Sequence, residues 1–124
     1  KELKLNKVMV LHCNHPNELP DSLIKTINKI KKTKTLLLNQ SVLLKDINDT
    51  PEALIRLSHR LFTLGILPYY INLLDKAQGT HHYQVDENHA KLIYKEIQNA
   101  LPGYLLPRLV KDISGKKSKT LVFS

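Results

Sequence analysis

Four short apolar runs separated by three amphipathic stretches constrain this chain more than any other feature of its sequence. The first run, Val8-Met9-Val10-Leu11, is continuous and lacks polar alternation, which is how a strand covered on both faces reads. Thr35-Leu36-Leu37-Leu38 repeats that signature and runs into Asn39-Gln40-Ser41, followed by Val42-Leu43-Leu44. Residues 66–74 and 104–110 supply a third and a fourth run, the last interrupted by Pro107 and Arg108.

The intervening stretches have helical period. Leu23, Ile27 and Ile30 follow i, i+4, i+7 spacing behind Asp21, which is placed to cap them, and lysines occupy the opposite face. Thr50 or Asp49 precedes Pro51 at the start of a second helix, whose inward face is Leu54, Ile55, Leu57, Leu61 and Phe62 and whose left-handed C-terminal cap is Gly65. Asp86 caps a third, with Ala90, Ile93, Ile97 and Leu101 on one face and Pro102-Gly103 closing it. Strand and helix in alternation predict parallel βα units, hence an α/β protein built as a small open sheet or as an arc of a β/α barrel. In either architecture ligands gather at the carboxyl ends of the strands. That edge is expected to collect His12, Asn14 and His15, then Gln40 and Ser41, then Asn72 and Asp75, and finally Asp112 with Lys119.

A length of 124 residues, 42% of them hydrophobic and 24% charged, suits one domain with one core. The net charge of +8 raises the possibility of a basic, non-enzymatic RNA-associated α/β module, because Lys and Arg neutralise phosphates. Much of the excess, however, lies in Lys25, Lys29, Lys31, Lys32 and Lys34, at one helix end and its exit, and aromatics are only 6%. A solvated helix face is the expected reading, and nucleic acid is not an expected partner. No apolar run approaches the ~20 residues of a membrane span. The charged residues 1–7 and the short run after them do not make a signal peptide, so a cytoplasmic location is expected. The single cysteine, Cys13, excludes an internal disulfide framework and any four-cysteine zinc or iron–sulfur site within the chain.

Several chemical readings compete at the strand ends. His12-x-x-His15, with Glu18 nearby and His81-His82 elsewhere, has imidazoles for a metal, but the spacing names no third ligand, and hydrogen-bonding loop histidines are the expectation. Residues 115–120 are not a phosphate loop, which needs Gly-x-x-x-x-Gly-Lys-Ser/Thr at the start of a helix, and no Gly-x-Ser-x-Gly nucleophile elbow exists. Lys119, in Ser114-Gly115-Lys116-Lys117-Ser118-Lys119-Thr120, is either part of a solvated tail or an amine that reaches a pocket from a small-residue loop. Asp75 and Asp112 follow successive predicted strands. They either cap and pair at the surface or bracket a cationic ligand, an attraction of several kcal/mol at intermediate dielectric.

His12-Cys13-Asn14-His15-Pro16-Asn17-Glu18, the block from Asn39-Gln40-Ser41-Val42-Leu43-Leu44 through Lys45-Asp46-Ile47-Asn48-Asp49, Pro68-Tyr69-Tyr70, Asp75-x-x-x-Gly79 and His82 occur in that order. Together they resemble the C-terminal portion of the lysine 2,3-aminomutase family, radical S-adenosylmethionine enzymes that use pyridoxal phosphate. The resemblance implies an α/β fold of parallel βα units forming the C-terminal arc of an incomplete radical S-adenosylmethionine β/α barrel. It assigns residues 1–110 to the barrel units and 111–124 to a C-terminal lysine loop and tail. It implies that Lys119 holds pyridoxal phosphate, that Asp75 and Asp112 bind the distal ammonium of L-lysine, and that His12, His15, Gln40 and Ser41 line the S-adenosylmethionine side. Ser118-Lys119-Thr120, with Leu73-Leu74-Asp75-Lys76-x-Gln78-Gly79, looks like the branch that makes (R)-β-lysine for elongation factor P. The family's three-cysteine loop for a [4Fe-4S] cluster is absent, so the cluster's ligands are expected outside this chain, and the chain alone is expected to be inactive. An unpaired edge at residues 8–11 would favour self-association, hence a homo-oligomer.

Overall fold

The computed structural model describes residues 7–74, 81–111 and 120–121. Five strands form one sheet in sequential order: β1 (Lys7–Leu11), β2 (Thr35–Leu43), β3 (Leu67–Leu73), β4 (Arg108–Lys111) and β5 (Thr120–Leu121). The first four are mutually parallel, and β5 returns antiparallel along β4, with Val110 opposite Leu121 and Lys111 opposite Thr120. The helices α1 (Ile24–Lys31), α2 (Pro51–Thr63) and α3 (Glu87–Ala100) make the three crossovers. Crossovers of one hand that always step toward the same edge place every helix on the same face of the sheet. The sheet does not close, and no strand order reverses along it.

Alternation decides which side chains meet those helices. Along β2 every odd position from Thr35 to Leu43 is buried and every even one is half-exposed, although Leu36, Leu37 and Leu38 look alike in apolar character. Leu37 packs with Ile27, Leu57, Leu61, Leu64 and Ile66 in one cluster under α1 and α2. Leu43, Ile71, Leu73 and Leu109 join Leu54, Ala90, Ile93, Tyr94 and Ile97 in a second cluster under α2 and α3. The other face carries Val8 and Val10 of β1 and the even positions of β2, and among the described residues no helix packs on it. Helices on one face only and strands in one direction are what an arc of a β/α barrel requires, because the second face of such an arc lines the barrel interior.

Caps and turns follow local chemistry. Thr50 caps α2 by accepting a hydrogen bond from the Ala53 N–H (3.2 Å), and Pro51 occupies the first turn. Asp49 instead accepts from the Asp46 N–H (3.0 Å). Asp86 caps α3, accepting from the N–H groups of Asn88 and His89. Gly65 ends α2 with φ of 79°, the left-handed geometry that a residue without Cβ adopts at no steric cost.

Three expectations are corrected. Asp21 caps nothing: it begins a short 3-10 turn, Asp21–Leu23, and its carboxylate pairs with Arg60 at 2.6 Å, fastening the entry of α1 to α2. Phe62 faces outward, 47% exposed, with its ring 5.4 Å from that of Tyr104. Residues 104–110 are not one strand: Gly103–Leu105 form a 3-10 turn and pairing starts only at Arg108, after Pro107, which lacks an N–H for the ladder. The antiparallel β5 is an addition, too short for any periodicity to signal.

Candidate functional site

The loop after β1 is held against β2 by side chains that imitate backbone. Asn39, 2% exposed in the middle of β2, accepts a hydrogen bond from the Cys13 N–H (2.9 Å) and donates to the Cys13 carbonyl (3.0 Å), so its amide continues the ladder that ends at Leu11. One residue on, Asn14 Oδ1 accepts from the Val42 N–H at 2.8 Å. His15 begins the 3-10 turn Pro16–Glu18: its Nδ1 accepts from the Asn17 N–H (3.1 Å), while Glu18 Oε1 accepts from the N–H groups of Asn14 (2.8 Å) and His15 (3.0 Å). These reciprocal bonds are a capping box, and they give His15 and Glu18 loop-forming partners. Cys13 is half-buried, and its thiol is pushed up, first by burial and then by the Glu18 carboxylate, which favours the inert protonated form.

His12 is exposed, and its backbone sits between Leu11, the register partner of Asn39, and the tethered Cys13. Continuing the register one residue beyond the last β1–β2 pair would set it opposite Gln40. Gln40 is the register partner of Tyr70, and Tyr70 that of Arg108, so one polar level crosses from the end of β1 to β4 on the face that no helix covers. A register shift at Asn39/Gln40 adds Tyr69 to β3 and brings its ring to 3.9 Å from that of Tyr70. The Tyr69 phenol is raised above its ordinary range, first by its hydrogen bond with Tyr70, while Arg108 pulls it the other way. Tyr70 and Arg108 were not singled out by the strand-end rule, because both lie before the ends of their strands. The signal that finds them is register, which becomes visible only when β2, β3 and β4 are aligned.

Gln40 and Ser41 are inside β2, not beyond it as the sequence suggested, and they point to opposite faces. Gln40 is half-exposed on the uncovered face; Ser41 is 3% exposed toward α2, and its backbone carbonyl accepts a hydrogen bond from Asn72 Nδ2 (3.1 Å). The structure therefore sets Gln40 and Ser41 on opposite faces of β2, keeps His15 in the turn after β1, and leaves His12 one residue past the last β1–β2 register pair. Asp75, Asp112 and Lys119 lie outside the described residues. Among the described residues no three of His, Cys, Asp and Glu approach as a metal-ligand set, and no helix is long and apolar enough to cross a membrane.

No family model matches the chain. Curated proteins do. The chain is 47% identical over 120 residues to the L-lysine 2,3-aminomutase of Haemophilus influenzae, covering 97% of this chain and 36% of that protein. It is 41% identical over 116 residues to that of Escherichia coli (94% and 34%) and 43% identical over 119 residues to that of Buchnera aphidicola subsp. Baizongia pistaciae (96% and 35%). The chain belongs to the lysine 2,3-aminomutase family. It spans about a third of the length of these relatives and corresponds to a C-terminal portion of them. Membership in the aminomutase family agrees with the open, one-sided parallel sheet. The family resemblance rests on blocks such as residues 12–18 and 39–49, and these are the segments that the asparagine ties bind together.

Proposed function

We propose that this chain is the C-terminal part of an L-lysine 2,3-aminomutase, an isomerase that moves the amino group of L-lysine from the α-carbon to the β-carbon. The observation that carries the proposal is the 47% identity across 97% of the chain to a protein named for that activity. We assign it to the branch that makes (R)-β-lysine for elongation factor P, on the basis of Ser118-Lys119-Thr120 and the segment around Asp75.

The roles of this chain's residues follow from charge and place. Asp75 and Asp112 bracket the distal ammonium of lysine and select a basic side chain over a neutral or acidic one. Lys119 would hold pyridoxal phosphate through its amine, as the family resemblance implies. When bound, the cofactor would supply a conjugated π system that can delocalise an unpaired electron during nitrogen migration, which no side chain of this chain offers. His12 and Gln40, polar and level on the uncovered face, fit a polar ligand such as S-adenosylmethionine. His15 and Ser41 support that level from the turn and from behind the sheet. A [4Fe-4S] cluster does not fit the residues of this chain, because Cys13 is its one thiol.

The test is turnover by the full-length protein with L-lysine labelled with 15N at the α-position. Appearance of the label on the β-carbon supports the reading. In Asp75→Asn/Asp112→Asn, the KM for lysine should rise at least tenfold. Unaltered lysine kinetics in that double variant would remove both carboxylates from the site, and absence of any β-lysine from the wild type would remove the activity.

A further inference from the structure

Asn48 belongs to no strand or helix, yet it is 1% exposed and every polar atom of its side chain is engaged. Its Oδ1 accepts from the Leu44 N–H at 2.7 Å, and its Nδ2 donates to the carbonyls of Asn14 (2.8 Å) and Val42 (2.9 Å). Three segments thus meet at one amide: the loop after β1, the end of β2, and the turn after Leu44. That turn is itself fixed, with Asp46 at φ of 66° and the N–H groups of Ile47 and Asn48 bonded to the Leu44 carbonyl at 3.2 Å. No other residue type makes the same connection. Aspartate keeps the acceptor toward Leu44 but loses both donors, and an apolar residue leaves three backbone groups without partners.

We propose that Asn48 is a positioning residue, which clamps Asn14 to the end of β2 and thereby holds His12 level with Gln40 for binding the polar part of S-adenosylmethionine. The inference rests on the aminomutase reading for its ligand, and on hydrogen-bond geometry for its residue. The clamp acts through backbone: Asn14 is tied twice, by its own side chain to Val42 and by its carbonyl to Asn48, and Asn39 holds Cys13 just before it. His12 follows directly. Loss of the Asn48 donors frees the Asn14 carbonyl and leaves Asn39 at Cys13 and the Asn14 side chain as the remaining ties, so the loosened loop lowers the share of molecules in which His12 is level with Gln40.

The experiment measures S-adenosylmethionine binding by calorimetry to the cluster-loaded full-length protein and compares Asn48→Asp, Asn14→Ala and Thr50→Ala. Thr50→Ala removes the cap of α2, the hydrogen bond from the Ala53 N–H, while leaving the hydrogen bonds of Asn14, Asn39 and Asn48 in place, and so reports the effect of lost stability alone. The expected result is a Kd for S-adenosylmethionine raised at least tenfold in Asn48→Asp and several-fold in Asn14→Ala, with Thr50→Ala like wild type and the Kd for lysine unchanged throughout. If wild type binds and Asn48→Asp binds equally well, or if Thr50→Ala weakens binding as much, the positioning role is overturned while the aminomutase reading stands. If wild type itself binds no S-adenosylmethionine, the aminomutase reading fails and takes this inference with it. Should Asn48→Asp not fold, Asn14→Ala decides the matter, since it cuts the loop's own tie to Val42 and leaves the buried Asn48 in place.

Discussion

Replacing Asn39 by leucine, close in size but without polar atoms, should loosen the loop after β1 while leaving the sheet intact. Asn39 makes two hydrogen bonds to the backbone of one residue, Cys13, at 2.9 and 3.0 Å. Stranding a buried backbone donor or acceptor costs about 1–3 kcal/mol each. Cys13 is only half-buried, so water recovers part of that loss and the lower end of the range applies, giving roughly 2–3 kcal/mol for the pair. Amide hydrogen exchange reads this cost locally, without requiring the whole protein to unfold in two states. At 1.36 kcal/mol per decade the Cys13 amide should exchange roughly 30- to 150-fold faster in Asn39→Leu. Amides of α3, which packs in the other core cluster, should be unaffected. Exchange at Cys13 within twofold of wild type would mean that the asparagine amide does not carry the loop. An equal rise across α3 would mean instead that the substitution damages the core.

Gly65→Ala should lower stability by about 1–2 kcal/mol, read by thermal or denaturant unfolding, because φ of 79° strains any residue with a Cβ. The new methyl group also meets the Lys31 side chain, whose flexible end can swing away, so the backbone strain sets the cost. Glu87→Gln should cost about 0.2–1 kcal/mol at pH 7, an exposed ion pair being screened by solvent. The Glu87 carboxyl is held below its ordinary range, first by the hydrogen bond from Lys111 at 2.8 Å and further by Lys91, so its contribution is present above the unfolded carboxylate pKa and lost as pH falls through the lower folded value. The melting-temperature gap between wild type and variant should therefore be constant from pH 6 to 7 and close on acidification below about pH 4. A gap that widens on acidification would contradict this ion pair.

Much of the fold is legible in the sequence because its signals are local. Thr50, Pro51, Gly65 and Asp86 mark helix ends by chemistry confined to one turn, and the positions of Ala90, Ile93 and Ile97 follow from helical period alone. What sequence misplaces depends on partners distant in the chain. Asp21 has a cap-like position but an arginine 39 residues later takes its carboxylate. Phe62 fits the inward stripe of α2, yet at the helix's last turn it meets Tyr104 at the surface. Gln40 and Ser41 were expected beyond the strand since they are polar, whereas β2 continues through them because Asn39 and Ser41 are buried on the helix side and Gln40 faces the uncovered one. The candidate site was legible as blocks of residues, and the level joining His12, Gln40, Tyr70 and Arg108 required the register between strands.

The central claim is that this chain supplies the pyridoxal phosphate anchor of an aminomutase at Lys119. Borohydride reduction of the full-length protein loaded with pyridoxal phosphate, followed by peptide mass spectrometry, tests it directly. The account predicts a pyridoxyl adduct on the peptide containing Lys119, lost in Lys119→Ala. An adduct fixed on a different lysine of the loaded protein, with Lys119 unmodified, would contradict it.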